Sequence, residues 1–219
     1  LRRFDLTDLT WVTEKSGYQT DANAQIVVLQ SDLIYLASGG AGLEILQKDN
    51  TDEIVPLTAV QTLPKAVDIV VNGQVAYIAD DERGLSVWDL SEPLNPVKIN
   101  SGIQGSQIPE RLILAGDRLF ARSVNLAPVQ EYHNRYTVDV FDLSEPLIPT
   151  YQLTLPFDAD SFAVYEDRAY VTKESELSIW NLDDLKSPKL IGTYQAPSGL
   201  SGGAAAVENT VYISVKGKG

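Results

Sequence analysis

Three carboxylates recur at similar places along the chain: Asp68, Glu110 and Asp160 each stand just ahead of an alternating apolar segment. Carboxylates converging on one pocket have two familiar uses. They coordinate a hard cation such as Ca²⁺, or they divide into the acid and base of a glycoside-active enzyme. The same three residues also suit a solvated acidic funnel with no chemistry of its own. A second candidate is the stretch Arg122–Tyr136 (RSVNLAPVQEYHNRY), which concentrates Tyr132, His133, Asn134, Arg135 and Tyr136. Aromatics, an amide and a guanidinium side by side make a contact surface for a glycan or a protein loop, or else the stretch is a hairpin that packs on its own tyrosines.

Other chemistries are closed off by composition. The chain has one His and no Cys. A Ser-His-Asp triad would have to use His133, and a two-His zinc site cannot be assembled within the chain. Gly39–Gly42 and Gly202–Gly203 are expected to be tight turns between strands, not phosphate-binding loops, because neither opens a helix. Lys and Arg total 17 against 30 Asp and Glu, a formal charge of −13. Such a field repels nucleic acid and anionic membranes. No run approaches the roughly 18 apolar residues of a membrane helix, so no membrane insertion is expected. The chain also lacks Met altogether, which suggests a processed or excised piece of a longer product.

These candidates must be held by strands. Segments of period-two alternation ending in an aromatic recur at 26–37, 69–79, 112–121, 162–171 and 204–213. Each reads as a hairpin around a polar turn, such as Asn72-Gly73, Gly116-Asp117 or Glu208-Asn209. The terminal aromatics Tyr35, Tyr77, Phe120, Tyr170 and Tyr212 are 42, 43, 50 and 42 positions apart. That period indicates repeats of one four-stranded unit. A third strand follows each hairpin, as in GLEILQ (42–47), GLSVWDLSEP (84–93), VDVFDLSEP (138–146) and ELSIWNLDD (176–184), and then a fourth. Trp88 and Trp180 occupy matching places and are expected to pack between neighbouring units.

The long interval falls between Phe120 and Tyr170, which places Arg122–Tyr136 as an insertion between strands two and three of its repeat. Read round from Tyr212 through the terminus and on from Leu1, the fifth repeat is split between the chain ends. The expected fold is therefore all-β, a single five-bladed β-propeller domain over 1–219, with blades at about 203–219 plus 1–19, 20–61, 62–104, 105–156 and 157–202. Val211–Val215 is expected to pair with Leu1–Leu6, leaving no open edge. Five repeats cut from a longer array would give the same register.

In such a ring one rim carries the loops between strands two and three and between blades. It collects Asp21, Asp80, Asp81, Glu82, Glu110, Asp158, Asp160, Glu174 and Glu176 with Lys65, Arg83, Arg111, Lys216 and Lys218. The opposite rim carries Asp5, Asp89 and Asp142, each ending a third strand where a carboxylate can accept backbone N–H groups of the following turn. These are expected to build turns.

The element Gly84–Pro96 (GLSVWDLSEPLNP), preceded by VNGQVAYIA (71–79), resembles the LVIVD-repeat family. A further copy is Val140–Pro149, and weaker ones lie at Ile179–Pro188 and Leu1–Leu9, while the repeat at 24–61 departs most, with Gln47-Lys48-Asp49 in place of the motif. The resemblance implies a propeller that is secreted or at the cell surface and leans toward binding, with no catalytic residues to transfer. The expected function is a non-enzymatic binding or scaffold module for a protein or glycan. The alternatives are a carboxylate-based glycan-active enzyme and a self-assembling structural subunit.

Overall fold

The computed structural model describes residues 1–8, 10–61, 65–80, 84–103, 105, 108–124, 136–197, 199–208 and 210–215. The described residues form twenty strands and no helix, and so contain no helix long and apolar enough to cross a membrane. All the strand ladders are antiparallel, and the chain divides into two compact units, Leu1–Ile103 and Gln104–Gly219.

In the first unit, β1 (Arg2–Asp5) pairs with β2 (Thr13–Gly17) as a two-stranded sheet. Two meanders follow. One runs through β3 (Ile26–Gln30), β4 (Leu33–Ala37), β5 (Leu43–Lys48) and β6 (Ile54–Val60), the other through β7 (Ala66–Asn72), β8 (Val75–Asp80), β9 (Gly84–Asp89) and β10 (Val97–Ile103). The second and third strands of each meander are buried on both faces, which is why they read as nearly continuous apolar runs. One face of the first meander, through Tyr35, Ala37, Leu43 and Ile45, packs on Ile69, Ala76, Ile78 and Trp88 of the second. Its other face, Ile34, Leu36, Leu46 and Ile54, takes Leu1 and Tyr18.

The second unit repeats the plan with β11 (Ile108–Ala115), β12 (Arg118–Val124), β13 (Tyr136–Asp142) and β14 (Thr150–Leu155), then β15 (Ser161–Tyr165), β16 (Arg168–Lys173), β17 (Glu176–Asn181) and β18 (Lys189–Gln195). Phe120 meets Phe162 edge-on across the two sheets, centroids 6.5 Å apart, in a core that includes Val138, Val140, Val171 and Leu182. The unit closes with a two-stranded sheet of β19 (Leu200–Val207) and β20 (Thr210–Val215).

The hairpin turns share one construction. In each, the first loop residue has positive φ: Ser31 (56°), Gly73 (59°), Gly116 (60°), Glu166 (51°) and Glu208 (50°). The second loop residue of four of them offers its carbonyl to the end of the third strand, as Lys48, Leu90, Leu143 and Leu182 donate N–H to Asp32, Gln74, Asp117 and Asp167 over 2.7–2.9 Å. The turn expected at Asn72-Gly73 is thus Gly73-Gln74, with Asn72 still paired to Val75.

Two further expectations are revised. Gly202 and Gly203 lie inside β19, where the Gly203 N–H donates a 2.9 Å hydrogen bond to Ser214 Oγ and a Cβ would meet that hydroxyl at 2.7 Å. A close approach, not a turn, calls for the glycine there. Val211–Val215 pairs with β19 and Leu1–Leu6 with β2, so the four-stranded sheet expected of these segments is not formed by the described residues. Consistent with that, Tyr212 is 65% exposed, whereas Phe120 and Tyr170 at the same place in the repeat are buried.

The Gly39–Gly42 segment is the expected turn, closed by hydrogen bonds between Ser38 and Gly42 and from Gly42 back to Gly39. Trp88 and Trp180 are the expected packing residues, the first buried between sheets and the second in tilted contact with Phe157, centroids 5.3 Å apart.

Candidate functional site

The repeat places a small residue three positions from the end of the second strand's aromatic column: Ala37 and Ala79 follow Tyr35 and Tyr77 by two, and both are buried. In the second unit that place is Arg122, two after Phe120, then Thr172 and Ser214, two after Tyr170 and Tyr212. A guanidinium among small residues must find partners, and Arg122, with its side chain only 13% exposed, finds three. Nη1 donates to the Asp160 carbonyl at 2.8 Å, Nη2 lies 3.4 Å from Glu110 Oε2, and the guanidinium carbon stands 4.2 Å from the centroid of the Tyr136 ring. The last contact is cation–π stacking, which Arg makes better than Lys.

Around this hub the backbone is pinned from the next sheet. Asp158 Oδ1 accepts the Tyr136 N–H at 2.9 Å, and its Oδ2 is 3.0 Å from Lys173 Nζ. Asp160 Oδ2 accepts the Glu174 N–H at 2.8 Å. The β12–β13 ladder runs through Val124↔Tyr136, so the clamp grips the base of the connection 125–135. That connection, with Tyr132, His133, Asn134 and Arg135, lies outside the described residues, as do Asp81, Glu82, Arg83, Lys216 and Lys218.

The structure therefore brings together three of the residues singled out by sequence: Glu110, Tyr136 and Asp160, all around Arg122. Asp68 belongs to the first unit. Counted back from the buried aromatic of its repeat, Asp68 stands nine residues before Tyr77, whereas Glu110 and Asp160 stand ten before Phe120 and Tyr170. One residue reverses the side of a strand. Asp68 is 3% exposed on β7, with Oδ1 taking the N–H of Ile69 at 2.8 Å, whereas Glu110 is solvent-facing beside a bulge in β11.

The carboxylates are engaged with backbone and cations more than with one another, and among the described residues no group of three or more His, Cys, Asp or Glu could share a metal ion. One Asp160 oxygen serves the Glu174 amide. What the arrangement supplies is a rigid, mixed-charge footing with a half-exposed aromatic, Tyr136, at the root of an irregular connection. Arg122, Asp158 and Lys173 are the residues that sequence reading passed over as a group; the departure from a small residue at the place of Ala37 and Ala79 was the available signal for the first.

The turn-building residues stand where expected. Asp89 Oδ1 accepts the Ser91 N–H at 2.8 Å, Asp142 that of Ser144 at 2.7 Å, and Asp5 that of Thr7 at 2.9 Å, while Asn181 does the same for Asp183. The backbone N–H is the leading reason these carboxyls are held below the usual range, Asp5 to about 2.

Comparison with known proteins agrees with the repeat. The LVIVD repeat model matches residues 65–101 and 157–196, so its second match takes in the weaker copy at Ile179–Pro188 and not Val140–Pro149. No curated protein matches. Among solved structures, the chain is similar to a protein from Lactobacillus plantarum (18% identity, 95% of this chain and 68% of that one, TM-score 0.68). It is also similar to a functionally unknown protein from Desulfotomaculum acetoxidans (12%, 98% and 68%, TM-score 0.64) and to the computationally designed Ika8 protein (9%, 87% and 54%, TM-score 0.64). The chain thus spans about half of the designed protein and two thirds of the other two. At these identities the likeness is one of fold.

Proposed function

We propose that the chain is a non-enzymatic binding or scaffold module that recognises a protein or glycan through the rim bearing the 125–135 connection. The observation that carries this reading is the Arg122 clamp: an Arg–Tyr stack, the Arg122 hydrogen bond to the Asp160 carbonyl, the Asp158 carboxylate on the Tyr136 N–H and its ion pair with Lys173 fix the base of the connection 125–135. Preorganising a contact loop is what lowers the entropic cost of binding through it. Tyr132, His133, Asn134 and Arg135 are the contact residues in this reading, with Tyr136 and Glu110 at the margin.

The finer architecture belongs to the same reading: one β-propeller domain of five repeats, the fifth divided in sequence between the segments of β19–β20 and of β1–β2. The repeat register supports it, since Tyr212 occupies the second-strand aromatic place and Asp5 the third-strand Asp place. The family resemblance supports a location outside the cell or at its surface as part of this reading.

The test compares the intact chain with one in which 125–134 is replaced by Asn-Gly. Both are assayed on a glycan array and, with a photo-crosslinking residue at position 110, which both chains retain, against surface proteins. Signal on the intact chain that disappears with the replacement, circular dichroism being unchanged, supports the reading. Equal signal from both chains overturns it.

A further inference from the structure

Within the second unit a cavity of about 490 Å³ opens at the opposite end of the strands from the Arg122 clamp. Its walls are Leu114, Ala115, Phe120 and Val164, and its mouth is formed by two hairpin turns, Gly116-Asp117 and Glu166-Asp167. The volume is in the range of small-ligand sites, and an apolar floor under a few polar groups is their usual make-up.

The mouth is rigid. Asp117 and Asp167 carbonyls are each held by an N–H from the end of a third strand, Leu143 at 2.8 Å and Leu182 at 2.7 Å. Arg118 Nη1 reaches across to Asp167 Oδ1 at 3.6 Å, tying one turn to the other and neutralising that carboxylate. Among the described residues Asp117 and Glu166 make no ion pair, and both are solvent-facing. Glu166 is moreover kept at φ 51°, a conformation that Gly73 and Gly116 fill in neighbouring repeats. Two uncompensated carboxylates over an apolar floor are complementary to a cation on an apolar stem, and the chain's charge of −13 adds a field that draws such a ligand in.

We propose that this cavity is a second binding site, one that takes an Arg or Lys side chain flanked by apolar residues on a partner peptide. The apolar neighbours would cover Leu114, Ala115 and Val164, and the cationic head would lie between Asp117 and Glu166. The site lies apart from the rim assigned above and does not depend on it.

The probe is acetyl-Leu-Arg-Leu-amide, titrated into the intact chain by NMR with acetyl-Leu-Glu-Leu-amide as control. Saturable shifts confined to the two turns and to Leu114, Ala115 and Val164 are expected with the Arg peptide and absent with the Glu peptide. The double variant Asp117→Asn/Glu166→Gln, which changes only exposed turn side chains, should weaken binding about tenfold and flatten its salt dependence. Ala115→Phe, filling the floor, should abolish binding with the dispersion of the spectrum retained. Should Ala115→Phe fail to fold, the double variant alone decides. No shifts with the Arg peptide, equal shifts with both peptides, or an unaltered affinity in the double variant would each overturn the proposal.

Discussion

Trp88 Nε1 donates to Ser86 Oγ, 3.2 Å away and two residues back on the same strand. The pair recurs as Trp180 and Ser178 at 3.0 Å. Where the aromatic or aliphatic partner has no N–H, the serine gives way to a carboxylate that looks elsewhere: Glu44, before Leu46, accepts from Tyr18 Oη at 2.9 Å, and Asp139, before Phe141, accepts from Thr154 Oγ1 at 2.6 Å. One buried position in the repeat is thus filled according to what its neighbour must satisfy. Ser86→Ala leaves the buried indole N–H without its acceptor and should cost about 1–3 kcal/mol. Ser178→Ala should cost less, because Trp180 is only partly buried and water can replace the hydroxyl. Chemical denaturation of the two variants, with unchanged slopes, checks the order.

The turn carboxylates make stability depend on acid. Asp5, Asp89 and Asp142 are each lowered in the folded chain, Asp5 to about 2 from 3.8. A depressed folded value means that the contribution is complete above the unfolded value and is lost as pH falls through the folded one. Melting temperature should therefore hold from neutral pH to about 4 and fall between there and about 2. Asp89→Asn and Asp142→Asn keep an acceptor at the same place, as Asn181 does naturally, so these variants should melt within a few degrees of the parent at pH 7 and lose less on acidification. Asp89→Ala and Asp142→Ala lack the acceptor and should melt lower at both ends, with binding unaffected.

The parts of the architecture that obey a local rule were legible from sequence. Period-two alternation gave the strands, the recurring aromatic gave the spacing of the sheets, and Asp89 and Asp142 announced their turns by the Ser that follows. Features set by partners distant in sequence were not legible. The Gly202–Gly203 pair looks like a turn until Ser214 on the facing strand is seen to need the space. Asp68 looks like the counterpart of Glu110, and only the ladders around the bulges in β7 and β11 show that it pairs with Ala79 as Arg111, not Glu110, pairs with Arg122. The clamp depends on Asp158 and Lys173, which lie on different segments and have nothing in their local sequence to join them.

Arg122 is a positioning residue in the proposed rim, and its removal should separate fold from binding. Arg122→Met keeps the aliphatic stem while losing the Asp160 hydrogen bond and the stack on Tyr136, a loss of about 1–2 kcal/mol. The sheets should persist, and affinity for a partner identified on the intact chain should drop, with a faster off-rate as the loop base loosens. Arg122→Lys should recover part of the stability and little of the affinity, because an ammonium cannot stack and donate in the same plane. Equal recovery of both would assign Arg122 to charge alone.

Gly105 and Asp139 are the closest backbone-to-side-chain approach in the second unit for which a single methyl group is decisive. Asp139 is buried on β13, its Oδ1 bonded to Thr154, and a Cβ built on Gly105 would overlap its Oδ2 and stand 2.8 Å from Cγ and 3.1 Å from Cβ. The carboxylate has no room to retreat, since the strand fixes its Cβ and Thr154 fixes its far oxygen. Gly105→Ala should therefore destabilise the chain by about 1–3 kcal/mol, the usual range for forcing a methyl into filled space. Asp139→Ala alone should also cost stability, by leaving the Thr154 hydroxyl without its acceptor. In the double variant the overlap is gone, so its loss should be smaller than the sum of the two single losses by at least about 1 kcal/mol. Additive losses in a double-mutant cycle would show that the segment around Gly105 moves away at no cost, and that the glycine serves its own backbone and not the buried carboxylate.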